Sequence, residues 1–176
     1  MMSRRRIFSR QTPVTVRLPS LLLIISGAIA LAFAWWLENG RGLVPCALCL
    51  WERWPWRILI AIGLGGMIVP RRWARAVSWC GLPPLLAAIV LSVIHAGVEW
   101  GFWASPLPEC AAPRLKGQTI AERLASMPLQ PGKPCDQPSY LFDWLPVSLT
   151  ELGGLAALLV LFGLLWLLLR GVGDRI

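Results

Sequence analysis

Two cysteines three residues apart, in Pro45-Cys46-Ala47-Leu48-Cys49, offer the most direct chemistry in this 176-residue chain. On one helical turn such a pair can close a disulfide, and a CxxC setting lowers thiol pKa values. Pro45 suits the first position of a helix. A thiolate in that turn would face the positive end of the helix dipole. Arg53 follows Cys49 by four residues and Cys46 by seven, so the three share a stripe if the helix is continuous. Its fixed charge would favour a thiolate or an anionic intermediate beside it. Pro55 bears on this, because the residue before a proline is biased away from helix. An arginine at mid-membrane costs roughly 2.5–3.5 kcal/mol, less near the interface, so such residues tend to be functional or paired. Arg53, next to Glu52, is the strongest ionisable candidate; for Arg57, and as the alternative for Arg53, the side chain snorkels to the interface.

Three further cysteines are Cys80, Cys110 and Cys135. Cys110 and Cys135 enclose 24 residues. Bridged, they would be a staple that stabilises the loop by roughly 3 kcal/mol. Beside a CxxC pair they also read as the second half of a relay, since thiol–disulfide exchange needs only an approaching thiolate and access, which a mobile loop supplies. Zinc bound by these four cysteines is the competing use, disfavoured where cysteines oxidise. Cys80 has no partner and reads as a small core residue. No Gly-rich phosphate loop, HExxH or GxSxG pattern is present, and a single histidine, His95, cannot build a multi-histidine metal site. No metal is expected.

The elements that must position these residues are helices in a membrane. The chain is 56% hydrophobic and 15% charged, against roughly 25% charge in soluble domains, and its mean hydropathy is +0.62. Leu18–Leu37 holds no charge over twenty residues, enough to cross a core of roughly 30 Å. A secretory leader is the alternative for this run, but Trp35-Trp36 reads as an interfacial belt. The second apolar segment, Ile58–Val69, is short alone, so its span must begin near Cys49 and carry Glu52, Arg53 and Arg57 at its outer end. A third span covers Ala76–Val98, with Pro83-Pro84 expected to kink or interrupt it near its basic end. The fourth covers about Leu149–Leu169. Between the last two, Thr119-Ile120-Ala121-Glu122 matches a capping box, and Ile120, Leu124 and Met127 share a helical face. A short amphipathic helix on the membrane surface or a packed loop helix follows. The expectation is an all-α membrane protein, a single domain over 1–176. It is expected to be a four-transmembrane-helix bundle with spans near 18–37, 49–69, 76–98 and 149–169, loops at 38–48 and 99–148 on one side, and a short amphipathic helix in the second.

Charge sets the orientation. The N-terminal tail, the 70–75 loop and the C-terminal tail hold ten arginines and one acid, Asp174; loops 38–45 and 99–151 hold five bases and seven acids. The positive-inside rule places both termini in the cytoplasm and the four loop cysteines outside. The net charge of +8 is thus membrane topology, and no nucleic-acid partner is needed.

In this order of features the chain resembles the disulfide bond formation protein B family of bacterial inner membranes. The likeness rests on the four spans, Pro45-Cys46-Ala47-Leu48-Cys49 at the entry to the second, Glu52-Arg53 just inside, and Cys110 and Cys135 in the long loop. It implies a protein-disulfide oxidoreductase that re-oxidises a periplasmic thioredoxin-fold thiol oxidase (DsbA-like) and passes the electrons to a membrane quinone, ubiquinone or menaquinone. By that similarity Cys110 forms the mixed disulfide with the partner and Cys135 completes the loop pair. Electrons then pass to Cys46 and Cys49, with Cys49 adjacent to the quinone and Arg53 stabilising developing charge there. His95 is a candidate for the quinone pocket, with a packed core histidine as the alternative. A partner poised near about −120 mV needs an acceptor that keeps drawing electrons, which thiol pairs alone cannot be. Trp51, Trp54 and Trp56 can stack on such a ring or serve as an aromatic belt. Two other classes stand beside this one: a vitamin-K-epoxide-reductase-like enzyme, whose CxxC lies late in the chain, and a non-enzymatic membrane scaffold stapled by disulfides.

Overall fold

The uncharged run beginning at Leu18 folds within a long helix, α1 (Pro13–Arg41), in a computed structural model that describes residues 13–110, 119–125, 133–142, 144 and 146–173. The arginines Arg4, Arg5, Arg6 and Arg10, as well as Met127 and Asp174, lie outside the described residues. Helix α2 (Ala47–Ile68) continues through Pro55 without a break. A proline inside a helix removes one backbone hydrogen bond, and here the ring is buried against the bundle. The helix starts at Ala47 with Cys46 as its N-cap, so Pro45 precedes the helix rather than opening it.

Pro83 and Pro84 act as helix starters. The third apolar segment divides into α3 (Arg71–Trp79) and α4 (Leu82–Glu99), and the interruption falls at Cys80-Gly81. The prolines occupy the first turn of α4, where a missing N–H has no intrahelical partner to lose. Cys80 is exposed at this break, not a core residue. At its other end α4 stops in a Schellman turn. Phe102 N–H bonds to Gly97 O at 2.8 Å and Gly101 N–H to Val98 O at 3.1 Å, with Gly101 at φ 74° supplying the left-handed residue this turn requires.

In the loop, α5 (Ile120–Ala125) carries the expected capping box: Thr119 N–H donates to Glu122 Oε2 at 3.2 Å and Glu122 N–H to Thr119 Oγ1 at 3.3 Å. Ile120 and Leu124 are both exposed. A second capping box, Ser148 with Glu151, opens α6 (Leu149–Gly173) at 3.0 and 3.3 Å.

The protein is all-helical among its described residues, apart from an isolated bridge between Tyr140 and Ser148. Three stretches are long and apolar enough to cross a membrane: Val16–Arg41, Arg71–Glu99 and Leu149–Arg170. Helix α2 is 22 residues long but carries Glu52, Arg53 and Arg57. It packs into the same core, where Trp56 and Leu59 meet Leu23, Leu85, Ala88, Ala157 and Leu164. The outward faces stay apolar, with Ile29, Phe33, Val90, Val93, Leu159 and Phe162 all exposed. This is how a bundle solvated by lipid is patterned.

Helices α1 and α2 approach closely through small residues. A Cβ on Gly63 would lie 2.7 Å from the Ser20 carbonyl oxygen, which is backbone and cannot rotate away. Gly63→Val is therefore expected to destabilise the folded protein in detergent by about 1–3 kcal/mol. Gly65→Ala, whose new methyl meets nothing closer than 3.8 Å, is expected to be tolerated. Thermal unfolding of the two variants compares them; equal midpoints would show that the α1–α2 contact is looser than this.

Candidate redox site

Four helix ends meet where the CxxC pair sits. Cys46 caps α2, and its sulfur accepts the Cys49 N–H at 3.2 Å. The two thiols lie 2.8 Å apart and share a hydrogen bond, so a small torsional change closes a disulfide. Cys46 is buried and Cys49 half-buried. The side-chain hydrogen bond shared with Cys49 holds the Cys46 thiol below its usual range. The Cys49 backbone N–H acts in the same sense, while burial and the Glu52 and Glu99 charges oppose them.

One turn further along α2, Arg53 pairs with Glu38 from the end of α1 through its two terminal guanidinium nitrogens, a two-pronged ion pair. Neither side chain is more than a quarter exposed. The partner of Arg53 is thus Glu38, not its neighbour Glu52, which turns instead to His95. With α2 unbroken at Pro55, Cys46, Cys49 and Arg53 share a face, and all three line one cavity of about 490 Å³.

His95, near the end of α4, is almost fully buried and sits at the centre of the polar groups. Its Nε2 is 3.4 Å from Cys46 Sγ, and its Nδ1 is 3.1 Å from Glu52 Oε1 and 3.2 Å from Thr150 Oγ1. One turn later Glu99 accepts from the Thr150 hydroxyl at 2.9 Å. Glu38, Glu99 and Thr150 are site residues that sequence reasoning missed. An acid four residues after the single histidine, at the end of an apolar run, was the available signal for Glu99.

The loop pair is bonded, Cys110 to Cys135. Its surroundings differ from expectation: rather than lying exposed, the two are 4% and 1% accessible, packed with Cys46, Leu48 and Val98. The short 3₁₀ turn Pro108–Cys110 delivers Cys110 to this cluster. A thiolate arriving from solution therefore reaches the bridge only if the loop shifts. Both cysteine pairs thus belong to one packed cluster, Cys46, Cys110 and Cys135 within it and Cys49 against it.

A helical, membrane-compatible bundle that gathers a bridged cysteine pair and a free dithiol into one cluster has the groups that thiol–disulfide exchange requires. The chain belongs to the disulfide bond formation protein B family: the family described as "Disulfide bond formation protein DsbB" matches residues 16–169. It is 31% identical over 153 residues to an uncharacterized protein of Rickettsia prowazekii, covering 83% of this chain and 85% of that one. It is 27% identical over 121 residues to disulfide bond formation protein B of Pasteurella multocida, covering 68% and 63% of the two chains. To disulfide bond formation protein B 2 of Pseudomonas aeruginosa it is 36% identical over 73 residues, 41% of each. No solved structure matches.

Proposed function

We propose that this protein re-oxidises a periplasmic thioredoxin-fold dithiol oxidase and delivers the electrons to a membrane quinone. The observation that carries the reading is the 490 Å³ cavity, which has Cys49 and Arg53 on one wall and Phe33, Leu37 and Trp56 among its apolar lining. Its size falls in the range of small-molecule sites. Its lining suits a flat, apolar ring with polar oxygens: aromatic and aliphatic faces, a cation at Arg53, and His95 as a hydrogen-bonding group. Quinone, when bound, supplies a two-electron, two-proton acceptor.

In this reading all four long helices cross the membrane, α2 with its charged end at the periplasmic face, and both termini are cytoplasmic. The surface helix α5 lays exposed Ile120 and Leu124 on the lipid headgroups. The partner's thiolate attacks Cys110, which forms the mixed disulfide and releases Cys135 as a thiolate. The partner's second thiolate then resolves the mixed disulfide and leaves oxidised. Cys110 and Cys135, now reduced, exchange with the Cys46–Cys49 disulfide through their shared cluster, and the Cys46–Cys49 dithiol yields two electrons and two protons to the acceptor. His95, in contact with Cys46 and tied to Glu52 and Thr150, is placed to take the thiol proton. The balance is one partner dithiol and one quinone in, one partner disulfide and one quinol out.

The test is anaerobic mixing of purified full-length protein with excess quinone and a reduced thioredoxin-fold oxidase. The expected result is loss of quinone absorbance in step with the oxidase thiols consumed. No quinone reduction by the intact protein would overturn the reading and favour a disulfide-stapled scaffold.

A further inference from the structure

The cluster that the redox reading uses has a second chemistry. Cys46, Cys49 and His95 place their ligand atoms within 4.8 Å of one another. His95 donates through Nδ1 to Glu52, which leaves the Nε2 lone pair facing Cys46 Sγ at 3.4 Å. A carboxylate behind an imidazole in this way orients histidines that bind metals. Glu99 stands outside that group of three but beside His95, and would have to swing inward to serve as a fourth donor. Its side chain is 3% exposed, its Oε1 is 3.7 Å from His95 Nε2, and its Oε2 is buried without a hydrogen-bond partner. A buried, unpartnered carboxylate oxygen calls for a cation or a proton, and His95 lies beside only the other oxygen, Oε1.

We propose that in the reduced protein Cys46, Cys49, His95 and Glu99 form a Zn²⁺ site that locks the dithiol and is dismantled by oxidation. Zinc takes tetrahedral sulfur, nitrogen and oxygen ligands, with Zn–S about 2.3 Å and Zn–N about 2.0–2.1 Å, which places sulfur and nitrogen about 3.5 Å apart. The Cys46–His95 separation of 3.4 Å already fits. The two sulfurs, at 2.8 Å, must part by about 1 Å. Half-buried Cys49 borders the open cavity and has room to turn. Binding releases two protons, Zn²⁺ replacing one on each thiol, and transfers no electrons. A Cys46–Cys49 disulfide removes both sulfur ligands, so metal and electron transfer exclude each other.

The experiment uses the full-length protein with Cys80→Ala, Cys110→Ser and Cys135→Ser, in detergent, reduced and anaerobic, titrated with Co²⁺ as the spectroscopic probe. One equivalent is expected to bind with thiolate-to-cobalt charge-transfer and tetrahedral d–d bands, both erased by Zn²⁺. Cys46→Ser and His95→Ala are each expected to weaken binding by about 100-fold or more, and Glu99→Gln by about 10-fold, with Glu99→Asp recovering part of that loss. Tryptophan fluorescence and thermal unfolding of each variant establish that it is folded. Absence of a thiolate charge-transfer band in the reduced parent, unchanged affinity in folded His95→Ala and Glu99→Gln, or equal binding by the oxidised protein would each overturn the site. Metal-free wild-type protein assayed with quinone separates this from the redox reading: quinone reduction without Co²⁺ binding sinks the metal site alone, and Co²⁺ binding without quinone reduction sinks the redox reading alone.

Discussion

Replacing Cys49 with serine is expected to lower quinone reduction by at least about 10³-fold, because a hydroxyl neither ionises at neutral pH nor closes a disulfide. The comparison that gives this result meaning is the loop pair. With a small reductant such as dithiothreitol, which reaches the CxxC dithiol without the loop, Cys110→Ser and Cys135→Ser should keep quinone reduction within a few-fold of wild type. With a thioredoxin-fold partner as the reductant, both should lose it. The geometry behind the split is that Cys46 and Cys49 line the cavity while Cys110 and Cys135, packed in the same cluster, do not. Stopped-flow quinone absorbance with each reductant reads both arms. If Cys49→Ser keeps a tenth of wild-type turnover, Cys49 is not the residue at the acceptor. If the loop variants fail equally with both reductants, the pairs do not act in series.

Much of this site was legible because it is local. Cys46, Cys49 and Arg53 come from one helix, and their spacing alone states which face they share once Pro55 is tolerated. The capping box at Thr119 and the break near Pro83-Pro84 were legible for the same reason: each depends on backbone groups a few residues apart. What stayed hidden is tertiary. Glu38 meets Arg53 only because α1 and α2 pack side by side, and nothing in the spacing of the two residues announces the pair. Glu99 and Thr150 come from α4 and α6, and their convergence on His95 has no signature in either segment. Ser148-x-x-Glu151 repeats the pattern read at Thr119, and it fixes the entry of α6 that carries Thr150. The loop cysteines misled in a different way. A proline-rich, polar segment reads as exposed, whereas their burial comes from Leu48, Val98 and Leu107, which close over the bridge.

The hidden Glu38 partner sharpens what Arg53 is expected to do. A guanidinium that only snorkelled would leave quinone kinetics unchanged when removed. Arg53 is instead held by two prongs to Glu38, on the wall of the cavity that contains Cys49. A cation fixed in that way costs little reorganisation when negative charge develops beside it, which is where electrostatic catalysis gains most. Arg53→Ala is therefore expected to lower quinone turnover by about 10²-fold, with the Cys46–Cys49 pair still able to exchange with the loop pair. Arg53→Lys keeps the charge but not the planar fork, so it should recover only part of the loss. Glu38→Gln is the discriminating variant. It keeps Arg53 charged while loosening its position, so its effect should fall mainly on the KM for quinone, by about 10-fold, with kcat less affected. Steady-state kinetics over a range of quinone concentrations separate these outcomes. Equal losses of kcat in Glu38→Gln and Arg53→Ala would make the pair a structural clasp between α1 and α2. Wild-type kinetics in Arg53→Ala would return Arg53 to the membrane interface, with no part in the chemistry.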